Sequence, residues 1–210
     1  LIPKKMRLDK SHQTANFFAN KVNTCEYIVL HHTGKGKGIN IVNYLCRKES
    51  GVSAHYVVDI DGTVYQLAED KKCTRHAGVS AYQGKTGLNL YSIGIEVVSD
   101  GYSFTDAQRE ATGELVRSLM QTHNIPSSKI IRHKDIAPGR KRDIGDNFRN
   151  NQFSTFAEYQ KSFDQKEAKS LTPEAEEARK LGIWNGLDPD KPATREQVAM
   201  MIYRAAKLNN

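Results

Sequence analysis

The sequence predicts an α/β fold: a mixed central β-sheet flanked by helices, followed by a small C-terminal helical hairpin. Three observations carry this. Short apolar runs rich in β-branched residues, "YIVLHH" and "SIGIEVVS", alternate with helical patterns, and such alternation marks a sheet covered by helices. The clearest helical pattern, "SFTDAQREATGELVRSLMQTHNIP", lies between two strand-like runs. Near Asn150 the alternation stops and a polar, helix-prone stretch takes over.

The elements follow in order. "EYIVLHH" reads as a buried strand whose C-terminal end delivers two histidines. After the loop "GKGKG", "INIVNYLCRKES" reads as an amphipathic helix with Ile41, Tyr44 and Leu45 near one face. "SAHYVVDIDGTVYQLA" alternates on both sides of Asp61-Gly62, a turn dipeptide, and reads as a hairpin. "CTRHAGVSAYQGKTGLN" is polar and glycine-rich and reads as a long functional loop. "SIGIEVVS" is a second buried strand and carries one carboxylate, Glu96. In the long helix Thr105 is the N-cap, Leu115, Leu119 and Met120 form the apolar stripe, and Pro126 follows the end. "KIIRH" is a short strand that delivers His133. The expected domains are residues 1–150, a linker over 151–170, and a helical module over 171–210. That module has Thr172 as N-cap, Pro173 at the first helical position and Thr194 as a second cap.

Composition sets bounds. With 210 residues, 38% hydrophobic and 26% charged, the chain suits a soluble protein with one good core. No apolar run approaches the roughly 20 residues of a membrane span. The start, "LIPKKMRLDKSHQ", is too polar for a secretory signal peptide. Cys25, Cys46 and Cys73 are odd in number and scattered, and read as free apolar fillers rather than a disulfide framework or a cysteine metal site. The formal net charge of +7 sits wholly in residues 1–150, where 22 Lys and Arg stand against 15 Asp and Glu. Residues 151–210 carry nine of each. That excess suits a polyanion, either nucleic acid or a bacterial wall. No nucleic-acid recognition motif accompanies it.

Strand ends are where an open α/β sheet puts its chemistry. Here they offer His31-His32, Glu96 and His133, with Asp143 in the loop "RHKDIAPGRKRDIG". Catalytic zinc takes three protein ligands of this type and keeps a position open for water. Taken singly, each residue has a plainer reading: a strand-end histidine packs or caps, and Asp143 or Lys141 is a solvated charge. Glu96 within an apolar strand is harder to dismiss, because burying an unpaired carboxylate is costly.

Five segments decide the matter together. "YIVLHHTG", "SAHYVVDIDGTVYQL", "RHAGVSAYQGKTGLNLYSIGIEVV", "FTDAQREATGELV" and "RHKDIAPGRKRDIG" resemble, in order, the zinc-dependent N-acetylmuramoyl-L-alanine amidases of the second type. That family includes phage endolysins and bacterial autolysins and is related to the peptidoglycan-recognition proteins. The resemblance covers roughly Tyr27 to Phe148. It implies the amidase/peptidoglycan-recognition fold, with Zn²⁺ held by His31, His133 and Asp143. It also implies Glu96 as the catalytic acid–base and Lys141 facing the developing oxyanion. His76, with Ala77-Gly78, and Asn89 match the substrate-groove loop, and His55 is expected to join them in binding substrate. His32 is expected to be structural or to line the site. Some relatives carry a tyrosine where this chain has Ala54, which leaves more of the work to Glu96. Members often read "DPG" where this chain has Asp143-Ile144-Gly145, a change that bears on loop stiffness and not on the ligands.

The implied activity is hydrolysis of the amide between N-acetylmuramic acid and L-alanine in bacterial peptidoglycan, in the manner of a phage or prophage endolysin. Such a chain is made in the host cytoplasm without a signal peptide and acts at the wall after release. The alternative is a peptidoglycan-binding protein that does not cleave, but non-catalytic relatives typically lose a zinc ligand and this chain keeps all three. The tail "AEEARKLGIWNGLDPDKPATREQVAMMIYRAAK" resembles one S-layer-homology repeat, through Thr194-Arg195-Glu196 and the turn holding Trp184 and Gly186. That resemblance implies binding of a secondary cell-wall polymer, with Arg195 and Trp184 as contacts. Equally open is a hairpin that packs on the first domain or joins copies of the chain into a homo-oligomer. Met200 to Tyr203 read as core or dimer contacts.

Overall fold

Two six-residue runs, half of each Val, Ile or Leu and too short for helices, form the centre of the sheet. The computed structural model describes residues 6–34, 38–148, 153 and 155–170. In chain order the strands and helices begin with β1 (Leu8–Asp9), β2 (Phe17–Val22), β3 (Tyr27–His32), α1 (Gly38–Cys46), β4 (Tyr56–Val58), β5 (Val64–Gln66) and β6 (Lys72–Thr74). The two-residue strands β7 (Ala81–Tyr82) and β8 (Lys85–Thr86) precede β9 (Ser92–Val97). Then come α2 (Asp106–His123), β10 (Ile130–Arg132), α3 (His133–Ile136) and α4 (Phe156–Ser170).

Six strands make one mixed sheet in the order β1-β5-β4-β9-β3-β10. Only the β4–β5 hairpin is antiparallel; β1–β5, β4–β9, β9–β3 and β3–β10 run parallel. The central strands are buried on both faces: Ile28, Val29, Leu30, Ile93 and Ile95 are fully covered. Each such side chain contributes about 1.5–3 kcal/mol by leaving water. The predicted turn forms at Asp61-Gly62, where Gly62 has φ +82° and a side chain would meet the Ala107 carbonyl. Gln108 of α2 donates to the Val58 and Val98 carbonyls, tying the helix to the ends of β4 and β9. Its start is the expected one: Thr105 Oγ1 accepts from the Gln108 amide, and Gln108 Oε1 accepts from the Thr105 amide, a capping box.

The structure corrects three readings. In α1 the buried side chains are Val42 and Leu45, while Tyr44 is 44% exposed. Tyr44 instead carries the Arg47 guanidinium 5.7 Å from its ring centre. The segment from Cys73 to Asn89 is not one loop. It completes β6, which pairs with β2 in a second small sheet, and then forms the β7–β8 hairpin. Finally, the first compact unit runs to Lys161 rather than ending near residue 150. Phe156 and Tyr159 of α4 are buried. Tyr159 meets Phe148 edge-on at 5.9 Å, and Arg132 lies 4.5 Å over the Phe156 ring. The second unit begins at Ser162. The helices expected over 171–210, with Trp184 and Arg195, lie outside the described residues.

The three cysteines are free, and Cys25 and Cys73 are buried as expected. Among the described residues no helix is long and apolar enough to cross a membrane.

Candidate active site

Sheet register builds the site. His31 stands opposite Glu96, and Glu96 opposite Val57. Arg132 pairs with Leu30, so His133, the next residue, stands beside His31. Paired positions of a sheet point the same way. Glu96, His31 and His133 therefore form one row across three strands at their C-terminal ends.

Asp143 reaches this row from the loop after α3. The Lys134 amide donates to the Asp143 carbonyl at 2.6 Å. Arg132 bridges Asp135 at 2.9 Å and Asp146 at 2.6 Å, holding both ends of the loop. Ile144, which stands where relatives often carry proline, is fully buried and anchors the chain just past the carboxylate. Most charges of this basic segment thus have internal work. Lys141 is half-buried, and its charge opposes protonation of Glu96.

The convergence is tight. His31 Nδ1 and His133 Nδ1 lie 2.8 Å apart, and Asp143 Oδ2 is 2.9 Å from His133 Nδ1 and 3.4 Å from His31 Nδ1. The opposite nitrogens face other partners. His133 Nε2–H donates to the Ala77 carbonyl at 3.1 Å, and His31 Nε2 lies 3.0 Å from His76 Nδ1. A carbonyl can only accept, so His133 carries its ring proton on Nε2, and its Nδ1 lone pair and the Asp143 carboxylate oxygen face one spot beside His31 Nδ1. Acceptors so close repel one another unless a proton or a cation lies between them. These three residues are also the group of potential metal ligands found among the described residues.

Electrostatics agree. Burial pushes the His31 imidazole down to about 4, against the pull of Asp143, so the ring is neutral. Glu96 is the opposite case. Burial, with Asp143 adding, raises its carboxyl to about 8. The residue is half-exposed as a whole, yet its Oε2 is buried with no hydrogen-bond partner among the described residues. Leaving such a group unsatisfied costs about 1–3 kcal/mol or more.

The other expected site residues fall elsewhere. His55 is fully buried; its Nε2–H donates to the Lys72 carbonyl at 2.8 Å and its Nδ1 accepts from the Gly94 amide at 3.0 Å. Asn89 is 8% exposed, and its Oδ1 accepts from the His76 and Ala77 amides. His76, 7% exposed, lies under His31. His55 and His76 thus spend their ring nitrogens on partners inside the protein, and Asn89 spends its Oδ1 on the backbone. His32 packs where a Gly101 side chain would be, its Nδ1 accepting from the Gly34 amide. Ala54 is fully buried in a core cluster with Val42, Leu45 and Val57. Gly94 and Arg140 escaped the sequence reading. A glycine inside an apolar strand signals a close approach, and that signal stood in "SIGIE".

Sheet and site together define a class: an α/β protein whose strand ends bring together a His–His–Asp cluster spaced as metal ligands are, beside a glutamate whose Oε2 has no hydrogen-bond partner among the described residues. The sequence profile described as N-acetylmuramoyl-L-alanine amidase matches residues 21–146, and the chain belongs to that family. The 1,6-anhydro-N-acetylmuramyl-L-alanine amidase AmpD of Escherichia coli (strain K12) is 40% identical over 98 residues, 46% of this chain and 54% of that protein. The N-acetylmuramoyl-L-alanine amidase AmiD of the same strain is 30% identical over 135 residues, 56% of this chain and 48% of that protein. The chain thus spans about half the length of the curated relatives it matches. A selenomethionine derivative of AmpD superposes with a TM-score of 0.56 at 27% identity, over 71% of this chain and 91% of that one. AmiD from E. coli, in complex with anhydro-N-acetylmuramic acid-L-Ala-D-gamma-Glu-L-Lys, shares the fold, with a TM-score of 0.59 at 23% identity over 89% of this chain and 81% of that one.

Proposed function

We propose that this chain is a zinc-dependent hydrolase that cuts the amide between N-acetylmuramic acid and L-alanine in peptidoglycan. The observation that supports it best is the row of groups at the strand ends: two imidazole nitrogens and a carboxylate oxygen converging beside the unpaired Glu96 Oε2. Family membership and the activities named for AmpD and AmiD supply the bond.

The donors suit zinc. Its bonds of about 2.0–2.1 Å in tetrahedral array space neighbouring ligand atoms roughly 3.3 Å apart. The three spacings of 2.8, 2.9 and 3.4 Å need shifts of about half an ångström or less. His31, His133 and Asp143 would hold the ion. When bound, zinc supplies a Lewis acid for the scissile carbonyl and makes water acidic near neutrality. Ionised Glu96, its charge favoured by Lys141, accepts the proton of the attacking water and later passes it to the nitrogen of L-alanine as the C–N bond breaks. The Lys141 ammonium favours negative charge on the carbonyl oxygen in the tetrahedral state. The products are the lactyl carboxylate of the sugar and the free amine of the peptide.

The excess positive charge of residues 1–150 favours an intact, anionic wall as substrate, and with it the role of a phage or prophage endolysin released from the host cytoplasm. The relatives' names point also to small anhydro-muropeptides. One set of measurements tests all of this: metal analysis of the purified chain, cleavage of a soluble muramyl tripeptide, and turbidity loss of isolated walls. One zinc per chain with cleavage of both substrates is the expected result. A metal-free, inactive chain would overturn the enzyme reading. Cleavage of the soluble peptide alone would remove the endolysin role.

A further inference from the structure

We propose that His76 is a positioning residue, and that it and the Ala77 carbonyl form a clamp which keeps the ring protons of His31 and His133 on Nε2 and turns both Nδ1 atoms toward the metal. This rests on reading His31, His133 and Asp143 as a metal site.

The proton path is fixed from its far end. Ser92 Oγ–H donates to the Leu88 carbonyl at 2.6 Å, so toward His76 that oxygen can only accept. The Ser92 carbonyl also can only accept. His76 Nε2 lies 3.2 Å from the first and 3.3 Å from the second, so it carries the ring proton. A neutral His76 then has a bare Nδ1, and this nitrogen takes the Nε2–H of His31 at 3.0 Å. His133 is fixed in the same sense one residue along, by the Ala77 carbonyl at 3.1 Å. Neighbouring residues therefore hold the two histidines.

The clamp is itself held from both sides. Asn89 Oδ1 accepts from the His76 amide at 3.1 Å and from the Ala77 amide at 2.8 Å. Arg140 donates to the Ala77 carbonyl at 2.8 Å and to the Val79 carbonyl at 2.6 Å. Beneath it, β9 makes room. A side-chain carbon on Gly94 would stand 2.4 Å from the His76 ring, so the ring's position requires glycine there. Partners of this kind orient a ligand and select its tautomer, and their loss typically weakens metal affinity about 10–100-fold.

The test uses the full chain and two substitutions. His76→Asn keeps an acceptor where Nδ1 stood, since Asn Oδ1 occupies the same branch of the side chain; His76→Leu keeps bulk and removes the acceptor. Long-range proton–nitrogen NMR of the metal-free protein near pH 8 reads which nitrogen of each histidine is protonated, and zinc titration reads affinity. Wild type and His76→Asn are expected to keep the His31 proton on Nε2 and to bind zinc within a few-fold of each other. His76→Leu is expected to show mixed His31 tautomers, an unchanged His133, and zinc binding about 10–100-fold weaker. Equal tautomers and affinity in wild type and His76→Leu would overturn the proposal. So would a His76→Asn as impaired as His76→Leu, since shape rather than an acceptor would then matter. If His76→Leu does not fold, the wild-type spectrum still decides: a proton on Nδ1 of His31 overturns the clamp. A wild type that keeps both Nε2 protons yet binds no zinc supports the clamp and sinks the metal reading instead.

Discussion

Single side chains divide here by what their polar atoms still lack. Glu96 Oε2 has no hydrogen-bond partner among the described residues, whereas the rings of His55 and His76 and the Oδ1 of Asn89 have theirs. Two predictions belong to this scale. Glu96→Gln is expected to fold and to keep its zinc while turnover falls about 10²–10⁴-fold, the usual share of general acid–base catalysis. Assay of muramyl-peptide cleavage beside metal analysis checks it, and near-normal turnover would mean that another group takes the proton. His133→Ala removes one of the three proposed ligands and leaves Asp143 facing His31 alone. Metal content is expected to fall from one zinc per chain to a small fraction, read by metal analysis after dialysis. A full complement would mean that the ion sits elsewhere.

Elements place these groups, and they were legible to different depths. The runs "YIVLHH" and "SIGIEVVS", the Thr105 cap and the short strand before His133 could all be read, because periodicity and capping are local. His31, Glu96, His133 and Asp143 came from ordered segments. The burial of His55 and His76 could not be read, because sequence gives residue type and not the side from which a ring is approached. It depends on β9 offering Gly94 and Ser92 to the same face, a fact of register. Likewise β7 and β8 are two residues each, too short for any alternation to show. At this scale Thr105→Ala should remove the capping box of α2 and cost about 1 kcal/mol. Urea unfolding of the two proteins measures the difference.

For the whole molecule, charge and the tail are the open terms. All of the +7 lies in residues 1–150, so binding to isolated walls should weaken as salt rises, as exposed charges are screened. A pelleting assay from 50 mM to 500 mM salt reads this, and salt-independent binding would point to a specific contact instead. Removing residues 171–210 is expected to leave cleavage of soluble muropeptides intact and to weaken lysis of whole walls. Light scattering of both forms shows whether the tail also joins copies of the chain. If both are monomers and lyse walls equally well, the tail neither targets nor oligomerises.

One feature of the site governs when it can exist at all. His31 and His133 are 102 positions apart, and Asp143 comes ten residues later still. A chain being synthesised therefore carries its first proposed ligand long before the other two, and no product that ends before Asp143 has all three. The strand bearing Glu96 must also be in place between them. The proposed hydrolytic centre thus comes together only once the sheet is complete and Asp143 has been made, and a chain stopped short of that point has no cutting edge.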